Sequence, residues 1–289
     1  MKTTKTSVGR LVIFVLALAN AMVCDARKVY PRAEIKVEYN YHEKFLRGRD
    51  GVIDQDIKML LLANPQKSKF YCPATEFKDS LMSSPSGEAI AKKMMDAAVK
   101  ASIENNDDSG WDAVVYKTCM YVFKDADEAS ITVYDRATAF DFGKYEEPFK
   151  ELVWEVGDST KTILGYDCIK ATADYHGRVW TAWFTPEIPL QDGPWKLRGL
   201  PGLILEASEP DGQHHFIATG LEKSDMEMVP IYPGKDYDKL KRKEMLKSRW
   251  ESKNNLNSIA SAATGLNLGP DAPISKENMI YDFLETDYH

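Results

Sequence analysis

Residues 165–206 read GYDCIKATADYHGRVWTAWFTPEIPLQDGPWKLRGLPGLILE. The stretch opens with two β-prone runs, residues 169–175 and 178–184, separated by His176-Gly177. Two residues ending in glycine between such runs predict a tight hairpin, because the turn needs positive φ and glycine takes it without steric cost. Pairing Tyr175 with Arg178 fixes the register: Ala173 faces Trp180, Ala171 faces Ala182 and Ile169 faces Phe184. Side chains alternate along a strand, so these residues form one mostly apolar face, expected in the core. The opposite face carries Asp174, Thr172, Lys170 and Cys168 against Val179, Thr181, Trp183 and Thr185. A slip of one residue would exchange the two faces.

Beyond the hairpin the chain is punctuated by Pro186, Pro189, Gly193-Pro194 and Gly199-Leu200-Pro201-Gly202. Pro201 followed by Gly202 suits a type II turn, with proline fixing φ at the second position and glycine taking positive φ at the third. Residues 203–208 then read as a strand, Pro210-Asp211-Gly212 as the next turn, and residues 214–220 as its returning partner. Leu200, Leu203 and Leu205 are too apolar to leave in water and are expected in the core.

Gly199-Leu200-Pro201-Gly202-Leu203-Ile204 is the hexapeptide that names the GLPGLI family, and the chain resembles that family well beyond it. The matching pieces include Asp158-Ser159-Thr160-Lys161, Trp180-Thr181-Ala182-Trp183-Phe184-Thr185, Glu187-Ile188-Pro189 and Gly193-Pro194-Trp195-Lys196. The resemblance implies an exported envelope protein with no established activity, and it supplies no catalytic residues to carry over. The hexapeptide itself holds no acid, base, nucleophile or metal ligand, so its expected role is structural: a turn followed by core leucines.

The N-terminus fits that implication. Lys2, Lys5 and Arg10 precede a nine-residue apolar run, residues 11–19, which is too short to span a bilayer. Residues 1–26 read as a secretory signal peptide with cleavage after Ala26. Acylation at Cys24 is the alternative, but Ala21-Met22-Val23 is a poor approach to a lipidated cysteine. The expected location is the periplasm, the outer membrane or the exterior of a Gram-negative cell. No later segment is long and apolar enough to cross a membrane, and a net charge of −7 argues against nucleic acid as a partner. Residues 27–289 then form a single domain.

Within that domain, residues 32–41 alternate as a first strand, and 57–63 with 68–71 flank Asn64-Pro65 as a hairpin. A helix is expected from Ser86-Gly87, with Ile90, Met94, Ala97, Ala98 and Ile103 at helical spacing. Strands are expected at 113–123, 129–134 and 151–156, with Gly157-Asp158-Ser159 as a hairpin turn. A second long helix is expected over 236–258, with Leu240, Met245, Leu246 and Trp250 inward. Residues 264–289 look less regular, although Ile280, Tyr281 and Phe283 could add a strand. The expected fold is mainly β: an antiparallel sheet forming an open half-barrel with two inserted helices, similar in strand order to periplasmic lipoprotein carriers. That likeness is one of fold alone.

Two function classes remain open. The first is non-catalytic binding of a lipid, peptide or envelope protein in a β-cavity, with Trp154, Tyr166, Trp183 and Trp195 as ligand-binding candidates because aromatic residues crowd there. The second is an exported hydrolase or redox enzyme using Cys168, Asp174 and His176, with Asp192 as a further candidate; convergence of two or more of these in one pocket would favour it. No metal or cofactor is expected. His214-His215 are adjacent on a strand and point to opposite faces, so they cannot easily share one ion. Two of Cys72, Cys119 and Cys168 could pair in an oxidising compartment, and the sequence does not say which.

Overall fold

A computed structural model describes residues 29–47, 51–105, 107, 109–150, 152–267, 269–271 and 283–288. The leader with Cys24, and Ile280 with Tyr281, lie outside the described residues.

The first half of the described chain holds β1 (Ile35–Arg47), β2 (Gly51–Ala63), β3 (Lys67–Tyr71), α1 (Pro73–Met82), α2 (Pro85–Asn105), the single turn α3 (Trp111–Val114), β4 (Tyr121–Asp125), β5 (Ser130–Arg136) and β6 (Phe142–Pro148). The second holds β7 (Glu155–Ile163), β8 (Tyr166–Tyr175), β9 (Arg178–Thr185), β10 (Leu203–Ser208), β11 (His214–Lys223), β12 (Tyr237–Lys239), α4 (Arg242–Asn254) and α5 (Leu256–Thr264). All twelve strands join one sheet in the order β12-β6-β5-β4-β3-β2-β1-β11-β10-β9-β8-β7. Each pairing is antiparallel except β12 with β6.

The sheet is open but strongly curled. Strands β6 and β9 stand eight places apart in it, a separation of ~38 Å if the sheet were flat. Yet Glu147 on β6 lies 3.4 Å from His176 in the turn before β9. The concave face gathers residues from β1 to β11 into one core, including Tyr39, Phe70, Val122, Trp180, Phe184 and Phe216. Helix α4 and residues 283–288 close part of the open side, through Met245, Leu246 and Glu285.

The central hairpin has the expected register. Ala173 pairs with Trp180, Ala171 with Ala182 and Ile169 with Phe184. Ala171, Ala173, Trp180 and Phe184 are buried, while Asp174 is exposed and Lys170 and Thr181 are half-buried. His176 and Gly177 both adopt positive φ, 52° and 85°, as a two-residue primed turn requires. Cys168 and Thr185, on the more polar face, are also buried.

Several expectations need correction. Gly202 is absent from the positive-φ residues, and that conformation falls on Gly199 instead. The Gly202 amide donates to Leu200 O (2.7 Å), so Leu200-Pro201-Gly202 forms a three-residue γ-turn rather than a type II turn. Glycine is still needed at 202, because a Cβ there would sit 2.1 Å from Thr185 O. Leu200, Leu203 and Leu205 are in the core as expected. Gly157-Asp158-Ser159 is no turn: it lies inside β7, where the register with β8 shifts. The turn is Leu164-Gly165, both at positive φ.

The segment 236–258 is divided. Tyr237 pairs with Phe142 in β12, the helix begins at Arg242, and Asn255 separates it from α5. Within 113–123 the strand starts only at Tyr121, behind α3, and β7 starts at Glu155. Strand β6 and helix α1 escape a hydrophobic reading because their inward positions are polar or small. Strand β6 turns Gly143, Tyr145 and Glu147 inward, and α1 buries Thr75, Lys78 and Asp79. Helix α2 packs against α1 and α3 rather than the sheet, which leaves Ile90 and Ile103 exposed.

Candidate functional site

Two charged regions lie on the concave side. The first is an ionic clamp around the β8–β9 turn. Lys196 is fully buried, and its Nζ reaches Glu147 Oε1 (2.6 Å) and Glu285 Oε1 (2.7 Å). Arg242, from the first turn of α4, donates to Glu285 Oε2 (2.6 Å) and bidentately to Asp287 (2.6 and 2.8 Å). Tyr145 OH donates to Glu285 Oε1 (2.9 Å). His176 completes the group, with Nδ1 3.3 Å from Asp287 Oδ2 and Nε2 3.4 Å from Glu147 Oε1.

Backbone contacts dock the tail onto the same turn. The Thr286 amide donates to His176 O (2.9 Å), and Arg178 donates to Phe283 O (3.0 and 2.6 Å). A Cβ on Gly177 would lie 2.3 Å from Thr286 Oγ1, so glycine here serves both the turn and the docking. Residues 283–288 thus form a structural strap. Burial alone would push Glu147 up, but His176 and Lys196 more than offset it and hold the carboxyl at about 2. Burial opposes Asp287 in the same way, and Arg242 with His176 hold it well below the usual range.

His176, Glu285 and Asp287 have the residue types and mutual spacing of a metal-ligand set. Their oxygens are already engaged by Arg242 and Lys196, whose charges a divalent ion would have to displace. The arrangement is that of a saturated ion network.

The second region is a cavity of about 320 Å³ between the concave face, α4 and the strap. Its apolar wall includes Met120, Val133, Met245 and Leu246, with the rings of Tyr41, Phe45, Tyr145, Trp195 and Phe283. Glu43 is the polar centre of the β1 wall. It accepts from Tyr41 OH (2.9 Å) and Gln55 Nε2 (2.7 Å). Tyr41 OH is also 2.8 Å from His214 Nδ1. A phenol has one proton; if it goes to Glu43, His214 Nδ1 carries a hydrogen and donates to Tyr41. Burial keeps the Tyr41 phenol protonated, which suits that direction. Burial also raises the Glu43 carboxyl above its usual range, although Gln55, Tyr41 and Arg249 pull the other way. Across the cavity Arg249 is paired with Asp135 at 2.6 Å.

Of the aromatic candidates, Trp195 lines this cavity and packs on Trp180 and Tyr175. Trp154 is half-buried and donates to Arg198 O (2.9 Å). Trp183 is half-buried, on the opposite face of β9 from Trp180, with Lys161 4.4 Å above its ring, and Tyr166 starts β8. These three are outside the cavity lining. Cys168, Asp174, His176 and Asp192 do not converge. Cys168 and His176 are eight residues apart along the hairpin, ~26 Å in an extended strand. Asp174 is exposed on the other face, and Asp192 is ion-paired with buried Lys124. Burial lifts the Cys168 thiol to about 11, unsuited to a nucleophile. Cys72, Cys119 and Cys168 are all buried free thiols. His214 is buried and His215 half-exposed against Glu206, one to each face of β11.

The residues that sequence reasoning missed are Glu43, Phe45, Glu147, Lys196, Arg242, Glu285 and Asp287. The usable signal for the first two was the alternation Tyr39, Tyr41, Glu43, Phe45, which continues past residue 41.

No curated protein matches the chain. Two structures of PNGF-II, in different space groups, are similar at 14% identity, with TM-scores of 0.46 and 0.48. The match covers 75% and 76% of this chain, but only 33% and 34% of theirs, so the chain spans about a third of those proteins. A likeness that distant carries no argument about fold or activity. A family model described as a protein of unknown function (Porph_ging) matches residues 175–206, the segment that runs from the clamp's hairpin turn through Trp195 and Lys196 into β10.

Proposed function

We propose that the chain is an exported cell-envelope protein that binds a small amphiphile, without catalysis, in the cavity of its half-barrel. The GLPGLI resemblance and the matched family of unknown function overlap in residues 199–204, and we take them to be one family. The observation that carries the binding reading is the cavity itself. Its volume of about 320 Å³ falls within the range of small-molecule pockets, and apolar walls surround few polar groups. No nucleophile–base pair faces it from the candidates Cys168, Asp174 and His176, so the hydrolase or redox reading has less support. Free lipid tails, peptide side chains and parts of a protein partner share the required chemistry: an apolar body with one polar end.

The test is titration with a naphthalene sulfonate dye whose fluorescence rises in apolar sites. The proposal expects one dye bound per chain. Ala139→Trp, at the cavity lining beside α4, should block binding while leaving the melting temperature within a few degrees. Absence of binding, or binding untouched by Ala139→Trp, would refute the reading. Export is tested separately by N-terminal sequencing of native protein: the expected start is near Arg27, and an intact Met1 on cytoplasmic material would contradict it.

A further inference from the structure

We infer that the cavity is selective for an amine-bearing amphiphile, held by its ammonium group on Glu43 beside the ring of Phe45. This rests on the cavity being a binding site. Tyr41, Glu43 and Phe45 are alternate residues of β1, and all three line the cavity. Along the strand the two aromatic residues flank the carboxylate at ~7 Å on either side. Across the strands, Glu43 pairs with His214 on β11 and with Gln55 on β2. Tyr41 stacks on Phe216 at 4.3 Å and on His214 at 6.0 Å, which fixes the phenol in place.

Among the acids that face the cavity, Glu43 stands apart. Asp135 is neutralised by Arg249, and Glu285 by Lys196 and Arg242. Arg136 donates to Ala139 O, Lys253 lies 5.5 Å from the Phe283 ring centre, and Lys117 has interactions of its own. Glu43 is held by two neutral hydrogen-bond donors. Among the described residues no Lys, Arg or His comes within ion-pair distance of it. Desolvation raises its carboxyl above the usual range, with Arg249 pulling the other way from beyond ion-pair distance. A ligand ammonium would supply a close counter-ion, donate to the carboxylate, and lie beside the half-buried ring of Phe45, since cations are attracted to ring faces within about 6 Å. A carboxylate ligand would meet Glu43 as a like charge.

The experiment compares octylamine, octanol and octanoate as competitors of the dye, against the wild type, Glu43→Gln and Phe45→Ala. Wild type should prefer octylamine to octanol by at least about tenfold, and octanoate should bind worst; tenfold corresponds to about 1.4 kcal/mol. Glu43→Gln should lose the amine preference but keep octanol binding, which shows the cavity is intact. Phe45→Ala should weaken the amine preference with the carboxylate still present. Equal binding of the three ligands, or an amine preference that survives Glu43→Gln, overturns the inference while leaving the cavity reading in place. Failure of the dye and of all three ligands to bind wild type would instead refute the cavity reading on which it rests.

Discussion

The clamp and the Glu43 wall use the same kinds of residue to opposite ends. In the clamp, Glu147, Glu285 and Asp287 meet Lys196, Arg242 and His176 in one buried group, and their carboxyls are held low. On the wall, Glu43 has two neutral hydrogen-bond donors and, among the described residues, no ion-pair partner, and its carboxyl is raised. A closed charge network fastens one part of a fold to another; a half-buried carboxylate held only by neutral donors is a place for a ligand. Charge content alone would have pointed to the clamp as the site, whereas its saturation points away from it.

The comparison breaks most readily at Arg242. Arg242→Ala leaves Glu285 and Asp287 short of a cation, and the loss expected for breaking a buried pair is about 3–5 kcal/mol. Denaturant unfolding should show that loss, with residues 283–288 becoming sensitive to limited proteolysis. A change below ~1 kcal/mol would rank the clamp with ordinary surface pairs.

Gly177→Ala attacks the same contact through the backbone. Its Cβ would strike Thr286 Oγ1 at a φ of 85°, so about 1–3 kcal/mol should be lost. Thermal unfolding measures it, and an unchanged melting temperature would mean the strap does not rest on the turn.

Acid sharpens the contrast. Glu147 is depressed in the fold from 4.5 to about 2, so its contribution is present above the unfolded value and is lost as pH falls from about 4.5 through about 2. Glu43 runs the other way: its contribution is present below 4.5 and is lost as pH rises through its raised value. Unfolding free energies of Glu147→Gln and wild type should therefore converge at the acid end of that window. Those of Glu43→Gln and wild type should differ most at neutral pH. The smallest expected effect is Glu43→Gln itself: glutamine keeps an acceptor for Tyr41, so stability at neutral pH should stay within about 1 kcal/mol of wild type. A loss as large as that of Arg242→Ala would make Glu43 a structural anchor like the clamp.

How much of this was legible in the sequence follows from locality. The β8–β9 hairpin could be read in full because its turn residues and its apolar alternation sit within seventeen residues of one another. Strand β10 was equally plain, since Leu203, Ile204 and Leu205 belong in any core. Strand β1 was cut short at Tyr41 because His42-Glu43-Lys44 reads as surface, although Glu43 keeps the inward phase of Tyr39 and Tyr41. Strand β6 was missed for the same reason, with Glu147 turned inward. The clamp had no local signal at all: Tyr145 and Glu285 are 140 positions apart, and only the curl of the sheet brings them together. Charged residues at inward positions defeat a hydrophobic pattern, and those positions are where the cavity and its fastening lie.

The central claim is that the Glu43 carboxylate, not the saturated clamp, receives a ligand. Crystals soaked with bromophenethylamine test it most directly, because bromine reports its own position by anomalous scattering. The account predicts a bromine peak inside the cavity, with the ammonium within hydrogen-bond distance of Glu43 and the clamp pairs unchanged. Ligand seated among His176, Glu285 and Asp287, or an empty cavity at saturating amine, would contradict it.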